Sequence, residues 1–438
     1  MKQYDSYKDS GVEWIGEVPS HWEVRKIKTF SPVKRGASPR PIDDPKYFDE
    51  NGEFSWVRIA DVSASDKYLT TTTQKLSNLG SSLSVKRYPG DIFISIAGTV
   101  GKPIISSIKC CIHDGFVYFP YLKNMNTEFL YYIFMSGQPY LGLGKLGTQL
   151  NLNTETIGNI YIPYPSVEVQ NLIVSYLNKK CSEIDNVISA QQKRIALLQE
   201  LKQSVITHAV TKGLNPNVEM KDSGVEWIDK IPSNWNIVRL KNDCSLKGRI
   251  GWNGLRSEEF EKESYAYLVT GQDFVSSDID WSKCYQINKK RYDEDPCIQL
   301  ENGDLLITKD GTIGKIAKVS NMDKPACLNS GIFVLKQKTR KEFVQGYLYW
   351  SLYSDLLKEF NSYTSTGTTI LHLYQNVFEK MPLVVPPKKE QQEISDYLDK
   401  KTKAIDLSLS KAQHQVELLQ EYKQSLITEV VTGKRKVC

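Results

Sequence analysis

The sequence contains no C-x-x-C and no H-E-x-x-H, so its eight cysteines and five histidines signal neither a zinc site nor a disulfide framework. Cys110, Cys111, Cys181, Cys244, Cys284, Cys297, Cys327 and Cys438 are expected to be reduced and mostly buried, and no metal is expected. No apolar run is long enough to span a bilayer, and the polar start from Met1 to Ser10 has no signal-peptide core. The expected address is the cytoplasm, with no membrane partner. Charge of one sign is also lacking: 56 Lys and Arg stand against 51 Asp and Glu, a net +5 that mildly favours a polyanion and decides nothing alone.

Catalytic signatures are missing as well. A phosphate-cradling P-loop needs G-x-x-x-x-G-K-[ST], but Ile96 and Lys309 occupy the place of its first glycine, and Pro103 and Ile316 follow the two lysines. There is no [DNS]-P-P-[YFW] and no Pro-Asp, and the Gly-x-Gly beginning at Gly142 sits in LGLGK without the strand, loop and helix of an adenosylmethionine site. No catalytic residue and no cofactor is expected.

What is present is a repeat, in a chain whose 438 residues suit two or three domains. Lys8–Lys28 matches Lys221–Lys241 at 12 of 21 positions, and Gly90–Lys102 matches Gly303–Lys315 at 7 of 13, both with an offset of 213. Leu197–Thr207 (LLQELKQSVIT) matches Leu418–Thr428 (LLQEYKQSLIT) at 9 of 11, with an offset of 221. Between these anchors, Arg35–Asp66 and Gly248–Asp278 occupy equivalent places and share almost nothing. The two copies keep a frame and differ in a large part of the globule.

Each copy ends in a heptad-like stripe. The first runs Leu177, Cys181, Ile184, Ile188, Gln191, Ile195, Leu198, Lys202, Val205, Ala209; the second runs Leu398, Thr402, Ile405, Leu409, Ala412, Val416, Leu419, Lys423, Leu426, Val430. Pro163 and Pro165, or Pro386 and Pro387, precede each helix, Ser166 can cap the first, and Gly213 and Gly433 mark the stops. About 45 residues make a helix on the order of 65 Å long, too long for one globule, so it needs a partner. Because the link to the second globule is short, the second helix must run back along the first. The expected fold is α+β: two β-rich globules joined by two long antiparallel coiled-coil helices with pseudo-twofold symmetry. Its parts are globule one at 1–165, a helix at 166–213, globule two at 214–387, a helix at 388–433 and a tail at 434–438.

Within the first globule the pattern predicts strands at Phe54–Val62, Asp91–Ile96, Lys102–Ile108 and Gly115–Tyr121, and a short helix at Thr127–Ser136 whose second copy lies around Lys341–Phe360. The glycine loops Ala97–Lys102 and Asp310–Lys315 are either plain hairpin turns or phosphate contacts made by backbone N–H groups and Lys102 or Lys315. Basic and amide side chains in or near the divergent segments are candidate DNA contacts, since Arg and Asn read guanine and adenine edges. They are Arg35, Arg40 and Arg58 in the first globule, and Arg249, Asn253 and Arg256 in the second; Gln149 and Thr369, in the recurring loops Gly147–Gln149 and Gly367–Thr369, are further candidates.

Together, YKDSGVEWIGEVPSHWEV with its second copy, the G-D-[IL]-x-I loops, and a proline leading into a Gln-containing helix that ends LLQE-x-KQS resemble the specificity subunits of type I restriction-modification complexes. The resemblance covers the whole chain; the two copies depart from symmetry at an insertion between Lys315 and Gly367. It implies a non-catalytic subunit whose two target-recognition domains each read half of a bipartite target in double-stranded DNA. It implies that the helices dock methyltransferase subunits, two of them, with restriction subunits in addition; adenine methylation and ATP-driven cleavage would belong to those partners. An overlooked nuclease or methyltransferase centre, or a scaffold holding two proteins and no DNA, are the rival readings.

Overall fold

The computed structural model describes residues 3–141, 143, 152–249, 255, 257–275, 277–338, 342–364 and 373–437. The chain forms two compact units, one made of Met1–Gln192 with Gln413–Cys438 and the other of Lys193–Ala412.

In unit one a five-stranded sheet has the order Lys34–Arg35, Phe116–Tyr118, Ile92–Ser95, Pro103–Ser106, Tyr68–Leu69. A four-stranded sheet has the order Gln74–Leu76, Phe54–Val57, Cys110–Ile112, Val85–Arg87. The central strands Ile92–Ser95, Pro103–Ser106 and Cys110–Ile112 are buried at every residue, which is why they read as unbroken apolar runs. Phe54–Val57 lies parallel to Cys110–Ile112, a pairing that needs a long crossover and that no local pattern announces.

Unit two repeats this plan with, among the described residues, one strand fewer in each sheet. Its four-stranded sheet runs Cys244–Gly248, Ile332–Gln337, Leu305–Thr308, Ile316–Lys318, and its second sheet again pairs Ala266–Val269 in parallel with Ala326–Leu328. The divergent segments therefore keep one parallel strand pairing with almost no shared residues, and differ beyond it, with the helix Ile59–Ala64 in the first and the strand Phe274–Val275 in the second.

One expected strand is corrected. Phe54–Val57 is extended, but Ile59–Ala64 is a helix, because the Asp61 carboxylate accepts the Arg58 N–H at 2.8 Å and closes the first turn. The expected helix at Thr127–Ser136 is Thr127–Met135, and the region of its second copy holds two helices, Gln345–Tyr353 and Asp355–Thr364.

The two long helices are Val167–Lys212 and Lys388–Val431. Each contributes its first part to one unit and its last part to the other. In unit one, Ile173, Leu177, Cys181, Ile184 and Ile188 share a core with Phe129, Ile133, Leu426, Ile427 and Val430. In unit two, Ile206, Ala209 and Val210 share a core with Trp235, Tyr347, Ile394 and Leu398. Each helix is thus held by its own globule at its start and by the other copy's globule at its end.

Polar contacts repeat the same logic. Lys423 bonds both oxygens of Asp185 at 2.6 and 2.7 Å within unit one, and Lys202 bonds both oxygens of Asp406 at 2.7 and 2.8 Å within unit two. Ascending the first helix means descending the second, so the two run antiparallel. Gln170 and Gln391 are fully buried at the helix starts. The Gln170 amide donates to Asn124 and Pro165 carbonyls and its oxygen accepts the Asn126 N–H; Gln391 does the same with Glu342, Pro386 and Val344. A buried amide so completely satisfied is structural, and it explains the repeated glutamine after each proline. Gly213 and Gly433 stop the helices at φ 80° and 75°.

Candidate nucleic-acid interface

In unit one the turn at 113–115 joins the strand Cys110–Ile112 of one sheet to the strand Phe116–Tyr118 of the other, and the chain after Lys34–Arg35 lies against it, with Gly36 and Ala37 N–H groups on the Phe116 and Ile112 carbonyls. Gly36 lies so close to this turn that a Cβ there would stand 2.1 Å from the His113 carbonyl oxygen, so only glycine fits. That approach carries Arg35 and Arg40 to Asp114. Arg35 Nε donates to the Asp114 backbone oxygen at 2.5 Å, and Arg40 Nη2 donates to Oδ2 at 3.0 Å. Ser38 Oγ donates to Oδ1 at 3.2 Å.

Burial alone would raise the Asp114 carboxyl, but the Ser38 hydroxyl and the Arg40 and Arg35 charges outweigh it and hold the group below its ordinary range. Beside it, burial pulls the His113 imidazole down against the opposing pull of Asp114, and Arg35 and Arg58 lower it further. Of the three exposed arginines expected from sequence, Arg35 and Arg40 meet at this turn and Arg58 acts on His113 only through its charge; the residues that sequence reasoning missed are Asp114 and Ser38. The only signal was the Asp114-Gly115 dipeptide, a turn marker without a stated role.

The other candidates are placed differently. Lys102 Nζ donates to the Ser63 and Ser65 carbonyls at 3.1 and 2.6 Å, closing the end of the helix Ile59–Ala64. Burial also lowers its pKa, with Asp66 opposing. Two of its three donors are committed, leaving one for a phosphate. Lys315 is exposed. Both glycine loops connect antiparallel strand pairs, and each is closed by a hydroxyl, Ser95 to the Thr99 carbonyl and Thr308 to the Thr312 carbonyl.

Arg249 corrects the sequence reading. It is 2% exposed, with Nε on the Leu328 carbonyl at 3.0 Å and Nη2 on Cys327 Sγ at 3.5 Å. A guanidinium so enclosed is not presented to a duplex. Gln149, Asn253, Arg256 and Thr369 lie outside the described residues. On the helices, Ile184, Ile188 and Ile405 are buried and Ile195, Leu198, Leu409, Val416 and Leu419 are half-buried.

The family model for the type I restriction modification DNA specificity domain matches twice, at residues 19–198 and 232–418. The chain belongs to the type I restriction-modification specificity family. The MjaVIII specificity subunit of Methanocaldococcus jannaschii is 24% identical over 430 residues, covering 96% of this chain and 94% of that protein. The MjaIX specificity subunit of the same organism is 23% identical over 438 residues, covering 97% and 95%. A solved chain from work on assembly and conformational transition of the type I system superposes with a TM-score of 0.71 at 16% identity, covering 94% of this chain and 98% of its own.

As a member of a family of specificity subunits, the chain serves DNA recognition in a restriction-modification system. Among the described residues no group of His, Cys, Asp and Glu could hold a metal ion, and no helix is long and apolar enough to cross a membrane.

Proposed function

We propose that this specificity subunit reads a two-part target in double-stranded DNA, with the domain at 1–165 on one half-site and the domain at 214–387 on the other. The observation that carries this reading is the recurrence of the central strand order in two copies whose sequences diverge between shared anchors, which suits two different half-sites. Arg35, Arg40 and Arg58 face DNA in the first domain. Gln149, Asn253, Arg256 and Thr369 complete the contacts, with Lys315 on phosphate.

The long helices are the docking surface for two methyltransferase subunits. Support comes from the repeated LLQE-x-KQS segment. Its Leu198 and Leu419 are half-buried in the seam, and its Lys202 and Lys423 make the ion pairs. Its Gln203 and Gln424 bond backbone carbonyls at Tyr353 and at Met135 and Ser136. Leu197 with Leu201, and Leu418 with Tyr422, stand exposed at equivalent positions one turn apart. Two equivalent apolar pairs suit two copies of one partner.

The chain contributes no chemistry to methylation or to cleavage, which belong to partner methyltransferase and restriction subunits, and it works in the cytoplasm. Selection from a randomised duplex pool by the complex with its methyltransferase tests the reading. The expected product is a motif of two short fixed blocks separated by unread base pairs. Enrichment of one continuous block, or of none, overturns it.

A further inference from the structure

The turn at Asp114 does more than place arginines near DNA. A free arginine on a surface samples many rotamers, and fixing it on binding costs affinity. Here Arg35 is tethered by Nε, which leaves both of its Nη groups outside that bond, and Arg40 by Nη2, although the Arg40 side chain is 70% exposed. Both guanidinium groups are oriented before a duplex arrives, with donors still available. The Asp114 carboxylate beside them argues against a phosphate ligand, since it would repel the anion at close range. It suits a G·C pair, where guanine O6 and N7 accept from a guanidinium and the cytosine N4 amine donates to a carboxylate.

We propose that Asp114 is a positioning residue that fixes Arg35 and Arg40 as readers of a G·C pair in the half-site covered by the first domain; this rests on the two-part reading above. At the equivalent turn of the second domain the acid is replaced by a serine. Arg35 pairs with Val117 across the sheet, and Gly248 holds the same register opposite Phe333; Ser330, two residues before its strand, stands where Asp114 stands. The requirement is therefore confined to one half of the target.

The test repeats the duplex selection with the methyltransferase complex carrying Asp114→Asn, Asp114→Glu or Arg40→Gln. The last variant alters a side chain exposed enough to leave the core intact. The wild-type motif is expected to contain G·C in one half. Arg40→Gln and Asp114→Asn are expected to reduce the preference for that pair by roughly 5- to 150-fold. The other half and the slope of log affinity against log salt should stay unchanged, and Asp114→Glu should restore part of the preference. The proposal is overturned if neither half contains G·C, if the variants leave the preference intact, or if they weaken binding to all sequences equally with a shallower salt slope. A wild-type selection that yields no split motif overturns the two-part reading itself.

Discussion

At the scale of single residues, burial separates charges that serve the fold from charges that can serve DNA. Arg249 Nη1 is a buried donor with no partner, so its guanidinium sits in the core at a cost. Arg249→Met, which keeps most of the volume and removes the charge, should shift the thermal midpoint of unit two while leaving the salt dependence of DNA binding unchanged; a shallower salt slope would restore Arg249 to the DNA surface. Glu128 gives a residue-level test of unit one. It binds Lys67, Tyr68 and Asn178, and although burial raises it, these partners hold its carboxyl below the ordinary value of 4.5. Burial pulls Lys67 down more than Glu128 lifts it, so the pair is anchored by its acid. A depressed carboxyl stabilises the fold above its unfolded pKa and stops doing so as pH falls through the folded value. Urea unfolding should therefore show wild type above Glu128→Gln at pH 6, with the difference closing below about pH 4.5.

At the scale of elements, the long helices were legible because a stripe of alternating three- and four-residue steps has one physical cause, burial along one helix face. Their boundaries were legible because proline and glycine act locally. The strand misread across Arg58–Val62 shows the limit: apolar alternation continued past Val57, but one carboxylate reaching back to an N–H was enough to start a helix. The parallel pairing of Phe54–Val57 with Cys110–Ile112 was out of reach because its partner lies across a long crossover. The Asp114 cluster was out of reach for the same reason, since the contact joins residues 74 apart in sequence.

The exchange of helix ends gives an element-level prediction. Ile206→Ala should lower the stability of unit two by about 2–5 kcal/mol, although Ile206 lies on the helix that follows the first globule, because it is fully buried beside Trp235 and Leu398. For docking, Leu197→Asp or Leu418→Asp alone should leave one methyltransferase bound, and both together should leave none, as read by the mass of the purified complex. Full occupancy of the double variant would remove the helices' outer face from the interface.

At the scale of the whole molecule, the proposed reading makes the helix pair the gauge of target spacing. Deleting four residues from each helix should draw the half-sites together by about 6 Å, close to two base pairs. Methylation mapping in cells would show the unread gap shortened; an unchanged gap would end the gauge idea. The division of the chain has a separate bearing on synthesis. Unit two is one continuous segment, Lys193–Ala412, whereas unit one, begun first, needs Gln413–Cys438 to finish. On the ribosome the domain translated last among the globules can close before the domain translated first. The core that Ile184 and Ile188 share with Leu426, Ile427 and Val430 is complete only once that last stretch has been made. A chain cut before Gln413 would injure the unit made first and spare the one made second.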